Sequence, residues 1–237
     1  MLATELIKSI EKKVPPYLAL KDDKIGYFGR ENPDELEINK VHVLLDIMPH
    51  YKPSQVGADL TICHHPPIIL PEFPVYVIHS NWDVIKGGAN DALAESLNLE
   101  VVEDLDKKTG IGRICTTSIT IKDFIKRIAS SLPVHHINMI NSPPKKKIEK
   151  VGLVAGFGLK NPEYVKLAHD NQVDLLLSGD INHKTALIAG NLGLSILDAT
   201  HYATEIPGLI KLCNLVSNLG VETELIHSDV PWNTVKL

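Results

Sequence analysis

Cysteine is scarce in this chain: Cys63, Cys115 and Cys213 are the three thiols in 237 residues, far apart and without a CxxC pair. That spacing excludes a disulfide framework and a zinc finger, and it suits a reducing compartment. Long apolar runs are missing as well. The stretch from Ile119 to Leu132 is broken by Lys122, Asp123, Lys126 and Arg127, and no segment approaches the ~20 apolar residues that span a bilayer, so no membrane partner is expected. The opening MLATELIKSIEKKV carries Glu5 and Glu11 and reads as an amphipathic helix rather than a signal peptide, which places the chain in the cytoplasm. Basic charge is also in short supply. With 24 Lys and Arg against 29 Asp and Glu the net charge is -5, which removes any global electrostatic drive towards nucleic acid. The basic cluster Lys145-Lys146-Lys147, beside Lys150, reads as a solvated linker after Pro143-Pro144, so nucleic-acid contact stands as an alternative that the charge does not support.

What is present has the grammar of an α/β protein. Lys40 to Asp46 (KVHVLLD) and Asp59 to Cys63 (DLTIC) are β-branched, apolar runs of buried-strand type. Ala89, Leu93 and Leu97 recur four apart, which is helical spacing. The same pattern returns later: KVGLVAG at 150–156 as a strand, Pro162 to Asn171 as a helix, VDLLLSGD at 173–180 as a strand. Two β-α-β units of this kind would form a weak internal repeat and favour parallel, helix-covered sheets; the alternative is that any two buried strand-helix-strand units look this alike. The Pro- and Lys-rich stretch 141–147 reads as the loop joining them.

The chemistry-bearing residues fall at strand ends. CHHPP (63–67) closes a buried strand with His64 and His65, and the carboxyl end of a strand is where α/β sheets bind ligands. Adjacent side chains on a strand point to opposite faces, so the two rings would serve different ions; the bland alternative is a pair of imidazoles in a turn. HSNWD (79–83) supplies Asp83 as a hard carboxylate and His79 as a ligand or an orienting partner. In DATHYATEIPG (198–208), His201 and Glu205 stand four apart, yet Pro207 suits the first turn of a helix, so both are expected in the segment entering the last helix. Asp180 and His183 in SGDINH could move protons. His135-His136 has no acid nearby in sequence and reads as surface imidazoles. The glycines of AGFG (155–158) could approach a phosphate, but no phosphate-loop or dinucleotide motif completes them.

GADLTICHHPP (57–67), HSNWD followed by GGANDALAESLNL (79–99), VDLLLSGDINH (173–183) and DATHYATEIPG (198–208), together with KDDKIGYFG (21–29), resemble in this order the NGG-interacting-factor-three-like family of dinuclear metal proteins, often labelled GTP cyclohydrolase I type 2-like. The resemblance covers most of the chain. It implies that His64 is a ligand of one metal and that His65 and Asp83 are ligands of the other, with His201 joining His64 and Glu205 bridging the pair. It implies two α/β domains with mixed, helix-covered sheets, a dinuclear site in the cleft between them, and a homohexamer. The expected division is residues 1–105 with 196–237 as a first domain carrying most ligands, and 106–195 as a second. Asp180 stands where the family more often has glutamate, and Phe157 where a small residue is frequent.

Paired divalent cations lower the pKa of a shared water and polarise a substrate oxygen. The expected activity is therefore metal-dependent hydrolysis of a nucleotide-like small substrate, with His79 or His183 moving protons. The metals are two divalent cations per subunit from the set zinc, iron, manganese, cobalt and nickel. Ring hydrolysis of GTP follows from the family label alone. The alternative is a non-catalytic oligomeric metal-binding scaffold or regulator.

Overall fold

Strands buried on both faces need near-continuous apolar sequence, and two sets of such strands organise the chain. The computed structural model describes residues 1–55, 57–228, 230–232 and 235. It divides into two units, Met1–Trp82 with Leu209–Leu237, and Asp83–Gly208. The boundaries fall within two helices, α2 (Ser80–Val84) and α7 (His201–Ser217).

The first unit holds strands β1 (Gly26–Phe28), β2 (Lys40–Leu44), β3 (Leu60–Cys63), β4 (Val75–Val77) and, late in the chain, β11 (Glu222–Leu225). Their order is β1-β4-β3-β2-β11. Strands β4, β3, β2 and β11 run parallel, and β1 pairs antiparallel on the edge. All of β3 and four of the five residues of β2 are buried. Helix α1 (Ala3–Glu11) buries Ala3, Leu6 and Ile10, which recur at helical spacing on one face.

The second unit holds β5 (Glu100–Asp104), β6 (Arg113–Thr120), β7 (Asn138–Ile140), β8 (Lys147–Leu153), β9 (Leu175–Ser178) and β10 (Ser195–Asp198), in the order β5-β6-β8-β9-β10-β7. Here β8, β9 and β10 are parallel and the outer pairings antiparallel. Its helices are α3 (Ala89–Ser96), α4 (Ile121–Ser131), α5 (Pro162–Asp170) and α6 (His183–Leu192). Side chains set their ends: Thr120, Asn161 and Asn182 accept from the first-turn amides of α4, α5 and α6. Both units are thus α/β, with mixed sheets and helices.

The internal repeat is visible in backbone detail. Asp59 and Asp174 each open a central strand and accept, through Oδ2, the amides of the neighbouring parallel strand: Asn39 and Lys40 in one unit, Glu149 and Lys150 in the other. At the far end, Ile78 N donates to Cys63 O as Ala199 N donates to Ser178 O. A helix follows at once in each case, α2 after β4 and α7 after β10. The expected β-α-β repeat is corrected at its crossover: among the described residues β2 reaches β3 through a short 3-10 turn at Pro53–Gln55 and no α-helix, whereas β8 reaches β9 through α5.

Two further sequence expectations are corrected. Helix α7 begins at His201 and carries Pro207 inside it. A mid-helix proline costs about 3 kcal/mol; Ala203, Ile206, Leu209, Leu212 and Val216 are all buried along this helix, which offsets that cost and keeps it continuous. The lysine cluster is not simply solvated: Lys146 Nζ donates to Asp174 O at 3.0 Å and to Ser195 Oγ at 2.9 Å, tying the loop to the starts of β9 and β10.

Candidate metal centre

In the first unit, the ends of β3 and β4 bring three imidazoles together. The ligand atoms of His64, His65 and His79 lie within 4.8 Å of one another. His64 is 2% exposed, and its Nδ1–H donates to Ile78 O at 2.8 Å. His65 Nδ1–H donates to Asp46 Oδ1 at 2.9 Å, and His79 Nδ1–H donates to Asp23 Oδ1 at 2.8 Å. An imidazole that spends its Nδ1 proton this way presents the Nε2 lone pair as its metal donor, and the carboxylate behind it raises its basicity. Asp23 also accepts from the backbone and hydroxyl of Ser80, the first residue of α2. Burial pushes the Asp23 carboxyl up, but the His79 and Ser80 hydrogen bonds and the His79 charge outweigh it and bring the pKa down to about 2.

In the second unit, the ends of β8, β9 and β10 build around His201. This residue opens α7, and Glu205 follows one turn later on the same face, with His201 Nε2 and Glu205 Oε2 3.1 Å apart. Asp180 Oδ2 accepts from His201 Nδ1–H at 2.8 Å. Burial alone would lower the His201 pKa, but the charges and hydrogen bonds of Glu205 and Asp180 raise it to about 10. The backbone here is locally costly: Asp180 and Thr200 are left-handed at φ 65 and 69, a conformation that concentrates at functional sites. Gly156 (φ 73) follows β8, and a Cβ there would lie 2.1 Å from Glu205 Oε1 and 2.8 Å from His201 Nε2. The glycine's close approach is therefore to these two side chains. Gly179 is equally constrained, since a Cβ would meet His201 N at 2.3 Å.

Asp83 sits in α2 and is 4% exposed. Its backbone carbonyl accepts from Asn90 Nδ2 at 2.9 Å. Arg113 holds the residues that follow, donating through one terminal nitrogen to Val84 O at 3.1 Å and Ile85 O at 3.3 Å while pairing with the Asp91 carboxylate at 2.7 Å. His183 is an exposed first residue of α6, and His135-His136 are exposed beyond α4. The residues that sequence reading missed are the anchors Asp23 and Asp46, both present in quoted segments (KDDKIGYFG and KVHVLLD) but carrying no metal-site pattern, and Asn90 and Arg113. Asp180, named as a possible proton carrier, accepts from His201 Nδ1–H.

Neutral imidazole and carboxylate donors with anchored rings fit zinc, iron and related divalent cations. The fold and these donors define a class: an α/β protein with a candidate metal site rich in His and carboxylate. The chain belongs to the Duf34/NIF3 (NGG1p interacting factor 3) family, whose model matches residues 69–231. It is 38% identical over 228 residues to a GTP cyclohydrolase 1 type 2 homolog of Methanothermobacter thermautotrophicus, covering 96% of this chain and 94% of that protein. A second relative of the same name, from Methanocaldococcus jannaschii, is 32% identical over 97% of this chain and 100% of its own. Among solved structures, reduced HcgD from Methanocaldococcus jannaschii superposes with a TM-score of 0.82 at 31% identity, over 95% of this chain and 97% of that one. A Bacillus cereus protein related to NIF3 shares the fold with a TM-score of 0.86 at 19% identity, over 99% of both chains.

Proposed function

We propose that this chain is a metal-dependent hydrolase of a nucleotide-like small substrate, its two divalent cations held by His64, His65, Asp83, His201 and Glu205. The observation that carries the reading is the anchoring of the rings: Nδ1 of His64, His65 and His201 each donates to a carbonyl or carboxylate at 2.8 or 2.9 Å, which leaves Nε2 as the nitrogen for a cation, His201 giving up its Nε2 proton as the ion binds. When bound, paired divalent cations lower the pKa of water and polarise a substrate oxygen, which is the chemistry of hydrolysis. Glu205, 3% exposed, has two carboxylate oxygens with which to bridge. His79, whose Nδ1–H donates to the Asp23 carboxylate at 2.8 Å, is the residue that moves a proton, because the carboxylate fixes its tautomer and orientation; His183 is the second candidate. Ring hydrolysis of the GTP type is supported by the name of the relatives, GTP cyclohydrolase 1 type 2 homolog.

The test is metal-loaded protein incubated with a panel of nucleotides and small heterocycles, with product separated chromatographically. Turnover should fall at least about a hundredfold in Glu205→Ala and His65→Ala. Survival of turnover in both variants would overturn the hydrolase reading, and absence of turnover with any member of the panel would favour the metal-binding scaffold.

The same proposal includes self-association as a homohexamer. Its support is the loop that follows His65, where Ile68, Ile69 and Leu70 are 103%, 84% and 68% exposed, an apolar tip of the kind that marks an interaction surface. Light scattering on Ile69→Lys should show smaller particles than the parent. A cytoplasmic location is supported by three free thiols, Cys63, Cys115 and Cys213. Among the described residues no helix is long and apolar enough to cross a membrane.

A further inference from the structure

Asn90 is 1% exposed at the second position of α3, and its amide is used at both ends. Nδ2 donates to Asp83 O at 2.9 Å, and Oδ1 accepts from Ala155 N at 2.8 Å. Ala155 precedes Gly156, whose amide donates to Thr204 Oγ1 at 2.9 Å and whose α-carbon lies against Glu205 and His201. One side chain therefore joins the backbone that carries Asp83 to the turn that contacts Glu205 and His201. The neighbouring Asp91 reinforces this arrangement, with Oδ2 accepting from Gly87 N at 3.1 Å and from Arg113 Nε at 3.0 Å. Arg113 is 2% exposed and grips Val84 and Ile85 directly after Asp83.

We propose that Asn90 is a positioning residue that sets the spacing between Asp83 and the Glu205–His201 pair, and with it the binding of the cation that Asp83 and Glu205 share. The inference rests on the dinuclear reading above. Its chemistry is specific to a carboxamide. Alanine would leave a buried carbonyl and a buried amide without their partners. Aspartate would still accept from Ala155 N but would set a second acceptor against Asp83 O, so it disconnects the Asp83 arm alone. A side chain that only filled space would not distinguish these two changes from an apolar trim elsewhere on the same helix.

The experiment uses the full chain stripped by chelator and titrated with Co2+, followed by calorimetry and by the visible d–d absorption of each ion. Parent protein should bind two ions. Asn90→Asp should weaken one ion about 10- to 100-fold, change its absorption and leave the other at parental affinity, whereas Asn90→Ala, which also frees the turn at Glu205 and His201, should weaken both. Leu93→Val, a trim of a fully buried residue of α3, controls for loss of packing and should keep both ions; circular dichroism establishes that every variant is folded. The inference is overturned if folded Asn90→Asp binds both ions as the parent does, or if Leu93→Val loses the same ion to the same degree. Should Asn90→Ala not fold, Asn90→Asp decides alone. Fewer than two ions on the parent protein would remove the dinuclear reading itself, and the inference with it.

Discussion

Gly156 and Glu205 are packed so closely that a Cβ on the glycine would stand 2.1 Å from the carboxylate Oε1. The glycine also has φ +73, where an L side chain costs roughly 1–2 kcal/mol. Gly156→Ala should therefore lower stability and push Glu205 out of place, with divalent-cation affinity falling at least about tenfold. Gly190 in α6 has nothing within 4 Å of its would-be Cβ, so Gly190→Ala should raise stability by about 0.5–1 kcal/mol. Parallel calorimetric titrations and thermal melts of the two variants check both statements, and equal cation affinity in Gly156→Ala and the parent would refute the first.

Asp180 orients His201 from a left-handed backbone at φ 65. Asparagine tolerates that conformation, so Asp180→Asn should keep the fold. It removes a charge and an acceptor that help raise the His201 pKa, so metal-free stability should fall at pH values below the usual histidine pKa, and the deficit should fade as pH rises through about 10. Cation affinity should drop about 10- to 100-fold; unchanged affinity would mean that the carboxylate serves the fold rather than the ligand.

Asp23 makes stability depend on pH in a definite direction. Its folded pKa is depressed from 3.8 to about 2, so its contribution is fully present above 3.8 and is lost as pH falls through about 2. The shift corresponds to about 2 kcal/mol at neutral pH. Urea unfolding of Asp23→Asn and the parent should differ by that amount at pH 7 and converge towards pH 2. A difference that persisted undiminished at low pH would exclude a charge effect.

Cation removal gives the simplest measurement. A ligand at 100 times its Kd stabilises the folded state by about 2.7 kcal/mol, which is roughly 5–10 °C in Tm for a chain of this size. Chelator-treated protein should regain that increment on addition of Zn2+ or Co2+. The increment should vanish in the double variant His64→Ala, Glu205→Ala.

Much of the architecture is legible in local pattern. The apolar runs of β2, β3, β8 and β9, the four-residue recurrence of Ala89 and Leu93 in α3, and the helix opened by Pro162 are short-range signals, because helix and strand periods repeat within a few residues. The likeness of the two halves was legible in their strands for the same reason, but not in their crossovers, where one has a 3-10 turn and the other α5. His64, His65, His79, His201 and Glu205 stood out as candidates because imidazoles and acids clustered immediately after buried strands, within motifs whose order matches the family.

Sequence alone, then, determined the central strands β2, β3, β8 and β9, the helices α1, α3 and α5, the family and the donor types available. Tertiary structure decided the partners. Asp46 is 19 residues from His65, Asp23 is 56 from His79, Asp180 is 21 from His201, and Asn90 is 65 from Ala155; such pairings follow from strand order and register, which no local period encodes. The continuity of α7 through Pro207 was decided in the same way. Local propensity argues for a helix start at the proline, whereas burial of the residues on both sides of it, available only in the folded chain, outweighs that preference and sets His201 and Glu205 on one helical face.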